Sequence, residues 1–359
     1  MTRSPTRSDA RAVRAEDAFD VAALAAWLRT ETGATLTGLP QVRQFSGGAS
    51  NLTYLVQYPE RALILRRPPG GHRADGAHDM AREYRVQTAL GPVFDYAPPT
   101  VALCEDDSVL GSPFYLMERL DGLIPRKELP PEPAWTAPRV RALCTNVLDV
   151  LVDLHAIDPT AAGLDWMSKG PGYVTRQVSG WSDRYRRART RNVGSFESVM
   201  SWLAAHQPPD RATALIHNDF RFDNIVLDPA EPTRPIGLLD WEMATIGDPL
   251  LDLGSALAYW VQADDNLAFK FFRRQPTHTR GMLTRDEVVE YYCRRTGIGL
   301  TDREWAFYEV FGLFRLAVIC QQIYYRYYHR QTTNPAFRSF GLAVRLLEWR
   351  CRAVIRRTR

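Results

Sequence analysis

An α+β chain in two lobes is the fold class this sequence predicts, and three features predict it. Strand-like runs are confined to roughly the first 120 residues, helical periodicity dominates the rest, and two short apolar runs interrupt the helices. The division expected is a loose polar tail over 1–18, a small β-rich lobe over 19–122 and a larger, mainly helical lobe over 123–359.

In chain order, apolar residues in DVAALAAWLRT recur at helical spacing, which predicts a first helix over Phe19 to Thr30. From Gln41 the period changes to two. VRQFSGGASNLTYLVQY and RALILRRPP read as three strands, with a Gly-Gly-Ala-Ser-Asn turn between the first two. HDMAREYRVQTAL reads as a helix. VALCEDDSVLGSPFYLMERL reads as a hairpin turning at Glu105–Asp107.

A Pro-rich connector, Leu129 to Pro138, separates the lobes. Beyond it, ALCTNVLDVLVDLHAI, the stretch Trp305 to Tyr328 and FGLAVRLLEWRCRAVI are helical by their spacing. The two short apolar runs are ALIH and IGLLD.

Composition removes several classes of function. No run approaches the ~20 apolar residues of a membrane span, and the polar N-terminus has no apolar signal core, so a cytoplasmic protein without membrane partners is expected. The five cysteines are scattered without a C-x-x-C pair, which argues for buried structural thiols rather than disulfides or zinc. The net charge is +4, almost all of it on arginine, with lysine only at 127, 169 and 270. That charge is spread rather than gathered on one element, so no nucleic-acid partner is expected.

The chemistry concentrates in LIHNDFRFDNIVLD and IGLLDWEMATIGDP. His217, Asp219 and Asn224 form H-x-D-x-x-x-x-N, and Asp240 follows sixteen residues after Asn224 at the end of an apolar run. A carboxylate suits the task of orienting an attacking hydroxyl and taking its proton, which Asp219 can do. Carboxylate and amide oxygens suit a hard cation such as Mg²⁺, which points to Asn224 and Asp240. Asp248 reads as an N-cap ahead of Pro249.

This arrangement resembles the catalytic loop and metal-binding segment of protein kinases and aminoglycoside phosphotransferases, with D-W-E in place of D-F-G. Within that group the chain is similar to the phosphotransferase branch, and especially to the kinase-like domain fused to some acyl-CoA dehydrogenases. The resemblance covers about residues 40 to 350. It implies a protein-kinase-like fold and a transferase that moves the γ-phosphoryl of ATP, or GTP, to a hydroxyl of a small molecule with Mg²⁺.

The resemblance also assigns roles. Asp219 becomes the base, while His217, Asp248 and Asp252 become structural supports of the loop. Ser46, Gly47, Gly48 and Ser50 become the nucleotide-covering turn. Met117, Glu118 and Arg119 become the segment whose backbone reads the adenine edge. The usual phosphate-anchoring lysine is absent, since no lysine precedes Lys127. Arg66 stands in its place, expected to pair with Glu83 on the following helix, while Arg67 faces the other side of the strand. The departure keeps a second reading open: a nucleotide-binding regulatory module with impaired catalysis.

For the acceptor, the region Leu253 to Arg359 holds 18 basic and 9 acidic residues. Charge complementarity then favours a neutral or anionic compound over a polycation. The basic stretch Trp181 to Arg191 reads as a solvated helix face, and the aromatic stretch QQIYYRYYHR as core.

Overall fold

The computed structural model describes residues 10–45, 51–69, 79–131, 133–209 and 213–358. Its elements, in order, are β1 (Ala10–Arg11), α1 (Val21–Thr32), β2 (Gln41–Phe45), β3 (Leu52–Gln57), β4 (Ala62–Arg67), α2 (Met80–Leu90), β5 (Thr100–Cys104), α3 (Asp107–Leu110) and β6 (Phe114–Glu118). There follow α4 (Ala137–His155), α5 (Tyr173–Ala188), α6 (Glu197–Ala205), β7 (Ala214–Ile216), β8 (Ile225–Leu227), β9 (Pro235–Leu238) and β10 (Thr245–Gly247). The chain closes with α7 (Pro249–Ala258), α8 (Leu267–Phe271), α9 (Arg285–Thr296), α10 (Asp302–Tyr328) and α11 (Phe340–Arg357). This is an α+β, bilobal, protein-kinase-like fold.

Two compact units emerge. The first comprises residues up to Leu123 together with Val226–Ala230 and Ile236–Glu242; the second comprises the remainder. The first unit is built on an antiparallel sheet in the order β1-β2-β3-β4-β6-β5. Alternation in β3 and β4 buries Tyr54, Val56, Leu63 and Leu65 against Leu24 and Leu28 of α1, while Leu55 and Ile64 pack with Met80 of α2 on the other face. Asp20 caps α1 and Asp79 caps α2, each accepting backbone N–H bonds from the first turn.

Two expectations change here. The N-terminal stretch is not loose from residue 10 onward: Ala10 and Arg11 pair with Phe45 and Gln44, and buried Asp17 accepts a bond from Gln44. The β5–β6 hairpin forms, but its connection holds the one-turn helix α3, because Asp106 caps Ser108 and Gly111 closes it at φ 78°.

The second unit centres on α10, which packs against α5, α7 and α11. By length and composition α10 is the one helix among the described residues that could cross a membrane. Here it is the core of the helical unit, with Phe307, Phe311, Phe314 and Val318 buried. The run QQIYYRYYHR is core only in part. Gln321 and Tyr324 are buried, whereas Tyr328 is 42% exposed, because the last turns of α10 carry one buried stripe. Cys104, Cys144, Cys320 and Cys351 are buried free thiols and Cys293 is partly exposed; burial pushes the Cys144 and Cys320 thiols up to about 12.

Candidate active site

In the second unit, β7 leads into the loop that carries the H-x-D-x-x-x-x-N motif. Ile216 is followed by His217, which is fully buried, and its N–H donates to Asp252 Oδ2 at 2.7 Å. The next N–H, from Asn218, donates to Asp252 Oδ1 at 2.8 Å. Asp252 projects from the first turn of α7, whose N-cap is Asp248; the Asp248 carboxylate accepts from Leu250 N and from the Tyr308 hydroxyl. A single carboxylate thus grips two consecutive amides, and His155 Nε2 lies 3.2 Å from Asp252 Oδ2, with His155 Nδ1 2.7 Å from the Tyr292 hydroxyl.

Burial alone would raise the Asp252 pKa. The His155 hydrogen bond, the nearby histidine charges and the His217 N–H outweigh it, so the group lies below the usual aspartate range. His217 and Asp252 thus hydrogen-bond within the loop and to it, while Asp248 caps the helix that carries Asp252.

The loop turns through Asn218 at φ 64°, a conformation uncommon outside glycine. Three groups hold it there. Arg315 Nη2 donates to the Asn218 carbonyl at 2.8 Å, and Asn218 Nδ2 donates to the Met243 carbonyl at 3.1 Å. The Tyr173 hydroxyl also bonds to the Asn218 side chain. Asp219 N–H then donates to His217 Nδ1 at 3.2 Å.

Asn224 Nδ2 reaches back to the Asp219 carbonyl at 2.8 Å and to Asp219 Oδ2 at 3.2 Å. The five-residue spacing therefore brings the two side chains together, and with Nδ2 committed, Asn224 Oδ1 is the atom available to a cation. Arg221 Nε stands 3.3 Å from both Asp219 Oδ1 and Asp223 Oδ1, and its guanidinium lies 5.1 Å from the Tyr259 ring centre.

In the first unit, β4 ends in two buried arginines facing opposite ways. Arg67 turns to Phe19 and the Leu110 carbonyl. Arg66 turns to carboxylates: Nε lies 3.3 Å from Glu83 Oε1, and Nη2 lies 2.9 Å from Asp240 Oδ1 and 3.8 Å from Glu242 Oε2. The Arg66–Glu83 pair anticipated from sequence is present, and neither arginine is a surface residue. Burial acts against the Arg66 charge, but Glu83, Tyr115 and Asp240 around it raise its pKa.

Asp240 sits at φ 72°, so this non-glycine residue too is in the left-handed region. Trp241 anchors the segment: its ring is fully buried edge-on to Phe94, and its Nε1 donates to the Leu238 carbonyl at 3.0 Å. Glu242 is tied by Asn51 Nδ2 at 2.9 Å and, through its carbonyl, by Arg82 at 3.1 Å.

Not every anticipated contact is placed. Ser46, Gly47, Gly48 and Ser50 lie outside the described residues. In the segment expected to read the adenine edge, Met117 is buried and receives a Gln87 hydrogen bond on its sulfur, and the Glu118 carboxylate pairs with Arg61. The Glu118 and Arg119 amides donate to the Pro99 and Ala62 carbonyls.

Several functional partners escaped sequence reading. Glu242 and Asn51 had weak signals, as the third residue of D-W-E and the last of the Gly-rich turn. His155, Tyr292 and Arg315 had none, being brought in from distant helices.

Set beside known proteins, residues 41–307 match the sequence model described as the phosphotransferase enzyme family. Acyl-CoA dehydrogenase family member 10 of Mus musculus is 36% identical over 332 residues, which is 92% of this chain and 31% of that protein. The chain thus spans about a third of that relative's length. Among solved structures, a putative aminoglycoside phosphotransferase from Ralstonia eutropha JMP134 superposes with TM-score 0.80 at 29% identity, covering 95% of this chain and 99% of that one. A thermostable mutant of aminoglycoside phosphotransferase APH(4)-Ia, in ternary complex with AMP-PNP and hygromycin B, gives TM-score 0.57 at 15% identity over 93% and 98% of the two chains. With its catalytic-loop motif folded as described and this breadth of match, the chain belongs to the phosphotransferase enzyme family.

Proposed function

We propose that this protein is a small-molecule kinase that transfers the γ-phosphoryl of ATP to an alcohol, with Asp219 as the base. The observation that carries the reading is the joined pair Asp219 and Asn224, held on a loop whose amides are gripped by Asp252. Phosphoryl transfer asks the protein chiefly for positioning and charge neutralisation, and a doubly anchored loop supplies the first.

Mg²⁺ brings neutralisation of the phosphate charge when bound. The donor set fits it. Asn224 Oδ1 and the Asp240 carboxylate are hard oxygen donors, and among the described residues no group of three or more acidic, histidine or cysteine side chains is placed to hold a metal ion by itself. Mg²⁺ characteristically takes one or two protein oxygens and completes its shell with phosphate and water. Asp219 accepts the acceptor hydroxyl's proton, and Arg66, oriented by Glu83, supplies the fixed positive charge that lysine gives elsewhere. An AMP-PNP complex of a structural relative supports the choice of an adenine nucleotide. A neutral or anionic acceptor and a cytoplasmic setting remain part of the same proposal.

The test is ATP turnover with Mg²⁺ over aminoglycosides, macrolides, hydroxyacyl-CoAs, sugars and amino alcohols. Turnover with one class is expected, falling by at least ~10²-fold in Asp219→Ala while Mg·ATP still binds. Retained turnover in that variant would reject the assigned base. Nucleotide bound without turnover on any acceptor would favour the regulatory module.

A further inference from the structure

Beside the H-x-D-x-x-x-x-N loop, three arginines gather, and two of them share one indole ring. Arg184 on α5 lies 4.7 Å from the Trp181 ring centre, and Arg315 on α10 lies 5.1 Å from it. Arg187, one turn after Arg184, adds its charge to the same region. Arg315 is only 4% exposed. Its contacts are the Asn218 carbonyl, the Met243 sulfur at 3.9 Å and the indole face, none of which carries negative charge.

Among the described residues no carboxylate comes within 4.0 Å of Arg184, Arg187 or Arg315. Arg186, on the same helix, shows the ordinary alternative, pairing with Asp183 and Glu197. A buried guanidinium is costly without an anion, and a like charge beside it adds to the cost. Burial first, then the charges of Arg187 and Arg315, push the Arg184 pKa down. A solvated helix face accounts for Arg184 and Arg187 alone. It does not account for Arg315.

We infer that this face of α5 and α10 is a subsite for an anionic group, carboxylate or phosphate, on the hydroxyl-bearing acceptor. Arg184 and Arg187, both exposed, present guanidinium forks that match either anion. Arg315 gives the subsite positive potential and ties it to Asn218, the residue before the proposed base. An acceptor anchored there by its charge has its hydroxyl delivered next to Asp219. The inference rests on the kinase reading for the word acceptor, and on the arginine cluster alone for anion binding.

The experiment is calorimetric titration of the whole protein with inorganic phosphate and, separately, with acetate, followed by Mg·ATP in its own titration. Wild-type protein is expected to bind at least one of the two anions, and the one bound tells phosphate from carboxylate. The double variant Arg184→Gln/Arg187→Gln, altered only at exposed positions, should bind it about tenfold more weakly or worse. Equal affinity in the two proteins, or no binding of either anion, overturns the subsite. Anion bound without Mg·ATP would keep the subsite and remove the kinase reading; Mg·ATP bound without anion would do the reverse.

Discussion

Arg66 holds three carboxylates near one guanidinium, and its removal tests how far the first unit depends on it. Arg66→Ala leaves Glu83, 1% exposed in its side chain, without its ion-pair partner. Breaking a buried pair from one side costs about 3–5 kcal/mol. We expect a loss of that size in urea unfolding, and a smaller one for Arg66→Lys, which keeps the charge but loses the fork that reaches Glu83 and Asp240 together. Equal stability of Arg66→Ala and wild type would mean that Glu83 is relieved in another way. The Arg66–Glu83 pairing was legible through the family resemblance, which places a cation on the third strand and its partner on the following helix. Its link to Glu242 was not, since D-W-E names the residue without saying which way it turns.

At the level of elements, α7 and α10 cross where two glycines meet. A β-carbon on Gly254 would lie 2.4 Å from the Tyr308 carbonyl oxygen, and one on Gly312 would lie 2.0 Å from the Gly254 carbonyl oxygen. Both obstacles are backbone and cannot swing away. Alanine at a helical glycine ordinarily gains up to ~1 kcal/mol, but here overpacking, at about 1–3 kcal/mol or more, should win. Gly312→Ala is therefore expected to lower the unfolding midpoint. It should also reduce turnover, because α7 carries the Asp252 carboxylate that grips the loop. A midpoint at or above wild type would show that the helices can part without cost. Either glycine is visible in the sequence, yet nothing there pairs residue 254 with 312.

For the molecule as a whole, acid stability follows from Asp252. Its folded pKa lies below that of an unfolded aspartate, near ~4. A depressed carboxyl stabilises the folded state fully above the unfolded value and loses that contribution as pH falls through the folded one. Unfolding free energy measured from about pH 6 to about pH 3 should therefore decline in wild type, with a shallower decline in Asp252→Asn, which has no proton to take up. Parallel curves would assign the acid sensitivity to other groups. The His155 ring bonds Asp252, so the brace joins α4, α7 and the loop after β7 in one hydrogen-bonded system.

The sequence by itself determined the α+β class, the strands β2 to β6, most long helices, and the H-x-D-x-x-x-x-N motif with its acidic follower. Those properties are local: side-chain periodicity sets secondary structure, and a fixed spacing of Asp219 and Asn224 survives folding as a hydrogen bond. Tertiary structure alone decided what holds the loop and what surrounds it. His155, Tyr292 and Arg315 reach that region from α4, α9 and α10, across separations of 97 to 137 positions that no pattern encodes. It also decided that Arg315 is buried with no carboxylate beside it. Burial and pairing are properties of packed helices rather than of a string of residues, and that is why the charge count favoured a neutral or anionic acceptor but could not say where a charge on it would sit.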